Sequence, residues 1–294
     1  MDRDELHGRI RRLLFVSPAL SSAFSRGDFR SVFRGRGMDF EALREYGEGD
    51  DARLIDWNVS VRFARPFVRT YREDRSLTLF LLVDVSASME EGSGELSKRD
   101  AAVLSASLLA YAAQLRGMPV GALVFAGGAI RYFEPRRGKA HALALIEAAV
   151  GAHAEGRASA GGTDLGGAFE RAGRLLKRRS LVMALSDFDA EGWAPSLALL
   201  ARRHDVVAVR VTDGLDRGLP AYGAFGAADA ESRVPAWLPL GSRSFRARWA
   251  NRGEARREAC RALCAEAGAR LLEIDTSDDP ARRLLEFFDR RRRP

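Results

Sequence analysis

From Leu77 onward the chain alternates uninterrupted apolar runs with stretches of helical period. LTLFLLVDV has no polar interruption before Asp84, which predicts a strand buried on both faces; KRDAAVLSASLLAYAAQLRG after it predicts a helix ending at Gly117. VGALVFAGG predicts a second buried strand, and IRYFEP the return arm of a hairpin turning at Gly127-Gly128. A helix over about residues 141–150 follows, and then the glycine-rich GGTD opens another, with Thr163 or Asp164 as its N-cap. SLVMALSDF and HDVVAVRVTD read as further buried strands with APSLALLARR helical between them. A helix over 254–267 leads to the strand RLLEIDT and a closing helix rich in Leu and Phe. Continuous apolar strands separated by helices predict an α/β fold, a doubly wound, mostly parallel sheet with helices on both faces.

Residues 1–76 follow a different pattern and predict an N-terminal appendage to a sheet domain over 77–294. DARLIDWNVSVRF suits a short helix and PFVRTYRED an extended segment, with Tyr46, Trp57, Phe63 and Phe67 expected as anchors against the sheet domain. The motif GEGDDARLIDW offers Asp50, Asp51, Arg53, Asp56 and Trp57 either as a partner-docking surface or as internal ion pairs around a packed tryptophan. Acids and arginines in close succession satisfy one another when buried, which favours the second reading.

Composition narrows the setting. The 294 residues are 46% hydrophobic and 30% charged, enough for one large core. No apolar run reaches membrane-spanning length and no secretory pattern opens the chain, so a cytoplasmic protein is expected. The net charge of +7 raises nucleic-acid binding as an alternative, but arginines and acids are mixed along most of the chain. The exceptions, LLKRRS and the DRRRRP tail with Arg291 to Arg293, read as solvated faces or a docking patch. Cys260 and Cys264, four apart, read as reduced residues on one helix face, since a zinc site needs further ligands nearby.

In such sheets ligands collect at the carboxyl ends of the strands, where Asp84, Asp187 and Asp275 stand, with Asp213 just after another strand. Asp84, Ser86 and Ser88 alternate across a strand end that turns, so their oxygens can converge. One carboxylate and two hydroxyls suit a hard divalent cation, Mg²⁺ or Mn²⁺. Alone, D-x-S-x-S fits a polar turn equally well. Thr163 in the GGTD loop adds a third hydroxyl and Asp187 a second carboxylate at a neighbouring strand end.

An acid, three hydroxyls and a second acid in this order resemble the metal-ion-dependent adhesion site of von Willebrand factor A-like domains. The stretch from GRGMDFEALREYGEGDDARLIDW to the D-x-S-x-S strand, about residues 27–89, resembles the signature of the family called domain of unknown function 58. The resemblance implies Asp84, Ser86 and Ser88 as first-loop ligands, Thr163 as second-loop ligand and Asp187 as a third-loop acid that binds through water. Asp164 is either an additional ligand or the helix cap. Phe188 stands where many A-type domains have glycine and is expected to narrow access. The resemblance further implies a non-enzymatic, metal-dependent protein-binding adaptor. Its partner would be a MoxR-type AAA+ ATPase, and its clients proteins undergoing remodelling, maturation or metal insertion. The chain has no GxxxxGK[ST] loop of its own.

Two enzymatic rivals are weaker. A Mg²⁺-dependent phosphohydrolase of the haloacid dehalogenase type needs a second Asp two residues after the first, where Ser86 stands. A serine hydrolase would need His7, His141, His153 or His204 beside Ser86 or Ser88, and no serine lies in a G-x-S-x-G elbow.

Overall fold

A computed structural model describes residues 3–13, 17–26, 39–47, 55–72, 77–126, 129–152, 163–221, 225–228 and 235–289. Among these, the strands in chain order are β1 (Asp39–Glu45), β2 (Phe67–Arg72), β3 (Thr78–Asp84), β4 (Val120–Ala126), β5 (Ala129–Arg136), β6 (Ser180–Ser186), β7 (Asp205–Thr212), β8 (Phe225–Ala228), β9 (Pro235–Leu238) and β10 (Arg270–Asp275). The helices are α1 (Arg3–Leu13), α2 (Ser17–Arg26), α3 (Trp57–Phe63), α4 (Lys98–Leu115), α5 (Lys139–Gly151), α6 (Leu165–Leu175), α7 (Ala194–Ala201), the single turn α8 (Gly214–Arg217), α9 (Arg243–Glu266) and α10 (Pro280–Asp289).

The central sheet has the order β10-β7-β6-β3-β4-β5. It is parallel except for β5, which pairs antiparallel with β4. This is the doubly wound, mostly parallel sheet expected, with one antiparallel edge strand. The apolar runs are continuous because both faces are covered: Leu79 to Val83 of β3 are fully buried, as are Leu181 to Leu185 of β6. One face carries α6, α7 and α9, whose Phe169, Leu197, Cys260 and Cys264 join Phe80 and Val182 in a single apolar cluster. Both cysteines are free and buried, as read from their spacing. α4 and α5 cover the other face.

The chain forms two compact units, Met1–Gly27 with Leu77–Pro294, and Asp28–Ser76. The expected boundary at residue 77 coincides with the second junction, whereas α1 and α2 pack with the sheet unit, on α4, α5 and α10. Their role follows from α4, which is buried nearly all round, from Lys98 to Ala113, and so needs cover beyond the sheet. Leu6, Ile10 and Leu20 supply part of it, and Arg116 Nε donates to Ser21 O at 2.9 Å and to its Oγ at 3.0 Å.

The second unit holds the β1-β2 hairpin and α3. Asp56 is buried, and its carboxylate caps α3 by accepting from Asn58 N at 3.0 Å and Val59 N at 3.3 Å. Ser60 faces inward and accepts from Phe67 N at 2.9 Å. Trp57 and Phe63, expected as anchors, are 66% and 65% exposed, because a helix of under two turns that turns Ser60 inward leaves them outside. Asp50, Asp51 and Arg53 lie outside the described residues, as do the Gly127-Gly128 turn, His153 and the arginine tail.

Candidate metal site at the carboxyl edge

The chain moves from β3 to β4 and β5 on one side, then crosses to β6, β7 and β10 on the other. The strand order therefore reverses between β3 and β6, and the crevice at their carboxyl ends is where such sheets bind ligands. Asp84 ends β3 there, fully buried. Its Oδ1 accepts from Ser86 N at 2.9 Å, and its Oδ2 accepts from Ser186 Oγ at 2.6 Å. A short 3-10 turn over Ala87–Glu90, pinned by fully buried Met89 and by Met89 N donating to Ser86 O at 3.2 Å, bends the chain back. The bend sets Ser86 Oγ and Ser88 Oγ 3.2 Å apart. The D-x-S-x-S trio thus converges as its spacing suggested.

Asp187 follows β6 on the adjacent strand and is buried. Its Oδ1 accepts from Asp189 N at 3.2 Å, while its Oδ2 is buried without a partner. Thr163 precedes α6, and its Oγ1 is likewise buried and unpartnered. The first turn of α6 packs on the loop after β6: a Cβ on Gly166 would stand 3.7 Å from Trp193 Cα and 3.8 Å from Gly192 O. The loops bearing Thr163 and Asp187 are therefore neighbours. Asp164 has the cap role of its two readings, since it is exposed and its Oδ1 accepts from Gly167 N at 2.8 Å.

Electrostatics mark this cluster as incomplete. Burial, and next the charge of Asp187, push the Asp84 carboxyl up to about 7, against the opposing hydrogen bonds from Ser186 and Ser86. Two buried cations stand near the pair: Arg210, whose Nε donates to Asp187 O at 3.2 Å, and Lys98 at the start of α4. Burial opposes the charge of Lys98, but Asp216, Asp187 and Glu91 outweigh that and hold its pKa above the ordinary lysine value. Its Nζ lies 3.1 Å from Asp216 and 3.4 Å from Glu91, so its hydrogen bonds serve those acids and not the Asp84/Asp187 pair. Buried polar atoms without partners are rare and call for an explanation. Asp84 and Asp187 with Ser86 and Ser88 have the donor chemistry of a hard divalent cation site, and Thr163, on the loop before α6, is the residue that could add a third hydroxyl. Among the described residues no three His, Cys, Asp or Glu side chains gather to hold a metal, so an ion here depends on the hydroxyls.

The other strand-end acids are structural. Asp213 accepts from Ser93 N at 2.9 Å, Leu215 N at 2.9 Å and Thr276 Oγ1, tying three loops together. Asp275 accepts from Arg217 Nη2 at 2.7 Å. Phe188 does not stand over the site: it is 5% exposed, and its ring meets Trp193 edge-on at 5.3 Å. Its backbone has φ 58°, the left-handed conformation that favours glycine, so the departure from glycine leaves the glycine-like geometry in place.

Sequence reading missed Ser186 and Lys98. The serine directly before the third-loop acid was a visible signal; the burial of a lysine opening a helix was not. The described histidines lie away from the serines. His141 Nε2 is 2.9 Å from Val120 O, at the start of β4, and His204 precedes β7, so both belong to the opposite edge. His7 on α1 is 3.0 Å from Glu147 on α5.

Fold and site together define an α/β domain with an oxygen-ligand cluster at its switch point. A family model described as Protein of unknown function DUF58 matches residues 42–259, and the chain belongs to that family. It is 30% identical over its whole length to the uncharacterized protein Rv1480 of Mycobacterium tuberculosis, covering 92% of that protein, and equally to Mb1516 of Mycobacterium bovis. Among solved structures it is similar to BatB from Bacteroides thetaiotaomicron, with 17% identity and a TM-score of 0.48 over 74% of this chain and 98% of that one. It is also similar to a von Willebrand factor type A structure from Catenulispora acidiphila, with 13% identity and a TM-score of 0.40 over 76% of this chain and 43% of that one. No helix among the described residues is long and apolar enough to cross a membrane.

Proposed function

We propose that this chain is a non-enzymatic, metal-dependent protein-binding module in which Asp84, Ser86, Ser88, Thr163 and Asp187 hold Mg²⁺ or Mn²⁺. The observation that carries the reading is the buried Asp84/Asp187 pair with its unpartnered Asp187 Oδ2, together with a second buried and unpartnered oxygen, Thr163 Oγ1, on the loop before α6. Bound there, the ion would supply a Lewis-acidic position for a carboxylate from a partner protein. Three of the five ligands are neutral hydroxyls, which leave more of the ion's charge available to that carboxylate than an all-acid cage would. Ser186 and the Ser86 amide hold the Asp84 carboxylate in orientation, and the Ala87–Glu90 turn holds the two serine hydroxyls together. The DUF58 resemblance of residues 27–89 supports a MoxR-type AAA+ ATPase as partner. The chain would then act as an adaptor in remodelling, maturation or metal insertion of client proteins, with ATP hydrolysed by the partner. Calorimetric titration of purified protein with Mg²⁺ and Mn²⁺ tests the site: wild type binds one ion and Asp84→Ala does not, and equal binding by both would refute it. Co-purification with tagged protein tests the partner: a AAA+ ATPase is retained by wild type and lost with Thr163→Val or with chelator.

A further inference from the structure

One group of basic residues without a role in the site stands on the opposite rim of the sheet. The turns at its amino edge include those from α4 to β4, α6 to β6 and α7 to β7, joined by the β5–α5 turn because β5 runs antiparallel; the α9–β10 turn at one end of the same edge follows exposed Glu266 and adds no base before Arg270. These turns and the residues beside them carry Arg137, Lys139, Lys177, Arg178, Arg179 and Arg202, all exposed. None of the six has an acidic partner among the described residues, and segments 115–119, 137–140, 176–180 and 201–204 contain no Asp or Glu. Arg179 and Arg203 both act on buried His204, which places the β6 and β7 turns side by side. The carboxyl rim is the reverse: segments 85–97, 187–193, 213–218 and 276–279 hold ten Asp and Glu against one base, Arg217.

We infer that the amino rim docks on an acidic phospholipid bilayer, with the carboxyl-edge loops turned away from the lipid. Six strands at the usual spacing make this rim about 24 Å long, and its cations come from separate turns along that length, a geometry matched to a plane of headgroups. Leu115, Leu143 and Leu199, between 41% and 60% exposed, lie in or within a turn of the same segments and can enter the headgroup boundary. Nucleic-acid readout uses a helix or an aromatic platform presented to bases, whereas this rim presents turns and leucines. The acidic carboxyl rim is repelled by the same surface, so charge alone selects the orientation. This inference stands without the metal reading.

Co-sedimentation of the full chain with vesicles tests it, using phosphatidylcholine alone or with about a third replaced by phosphatidylglycerol, at about 0.1 M salt. Wild type is expected to bind only the acidic vesicles. Joint Lys177→Gln, Arg178→Gln, Arg179→Gln and Arg202→Gln substitution should weaken binding several hundredfold, at about fivefold per cation near an anionic surface. These positions are exposed, so the variant should fold, which far-ultraviolet dichroism checks. Joint Arg243→Gln, Arg248→Gln and Arg252→Gln substitution on exposed positions of α9, and Asp84→Ala alone, should leave vesicle binding unchanged. Equal binding to neutral vesicles, an unweakened rim variant, or an equal loss from the α9 or Asp84 variants would each overturn the inference. Displacement from vesicles by duplex DNA at equal phosphate concentration would overturn it in favour of nucleic acid.

Discussion

Replacing Asp84 by Asn should stabilise the metal-free protein and abolish its stabilisation by metal. Asn keeps the acceptor for Ser86 N, and its amide can donate to Ser186 Oγ, so both hydrogen bonds of the native carboxylate survive in form. What disappears is a buried charge facing Asp187. The Asp84 carboxyl is raised from 3.8 to about 7, so the folded state holds its proton more tightly than the unfolded chain does. The resulting cost is absent below about pH 4, grows as pH rises and is complete above about 7. About three pH units correspond to at most roughly 4 kcal/mol, so about 2–4 kcal/mol should be recovered at pH 8. For a chain of this size that is roughly 5–10 °C in Tm. Thermal unfolding at pH 8 with chelator should place Asp84→Asn above wild type, and the gap should close near pH 4. Adding Mg²⁺ should raise wild type alone, by the mass-action term for a ligand bound to the native state. A variant less stable than wild type in chelator, or one that Mg²⁺ stabilises equally, would refute the claim that Asp84 is a buried charge awaiting a cation.

Ser186→Ala removes the donor to Asp84 Oδ2 and should weaken Mg²⁺ binding by about tenfold in calorimetry while leaving the five ligands intact. His204 is buried with both ring nitrogens unpartnered, and burial, then the charges of Arg203 and Arg179, lower its pKa to about 4. Its neutral form supports the fold fully above about pH 6.5, and stability falls as pH drops from there toward 4, by about 3 kcal/mol in total. Denaturant titrations of His204→Leu should lack this component over that window. Asp213→Ala removes an acceptor serving Ser93, Leu215 and Thr276 and should cost roughly 2–4 kcal/mol, with hydrogen exchange accelerated in residues 91–97.

The strands were legible because burial on both faces writes an unbroken apolar run, as in LTLFLLV, and the turn of Ser86 and Ser88 was legible because hydroxyls two apart share a side. Thr163 and Asp187 needed the family resemblance, since no local pattern joins a loop before α6 to a loop after β6. The helix α1 escaped notice because RDELHGRIRRL is mostly polar; among its described side chains Leu6 and Ile10 are buried. Its existence was nonetheless implied by α4, which has no solvent face to spare. The helix α9 begins at Arg243 and not near residue 254, because glycine and charge in ANRGEARRE read as a break. Gly253 sits instead where a Cβ would come 2.0 Å from Asp216 O, a close crossing that only glycine permits.

The contact of α2 with α10 joins residues near opposite ends of the chain. During synthesis α1 and α2 can cover α4 early, but the part of this face that meets α10 must wait until Pro280 and the residues after it leave the ribosome. A nascent chain stalled before that point would lack the share of the cover that α10 supplies, so docking of α10 is the step that closes this face against aggregation.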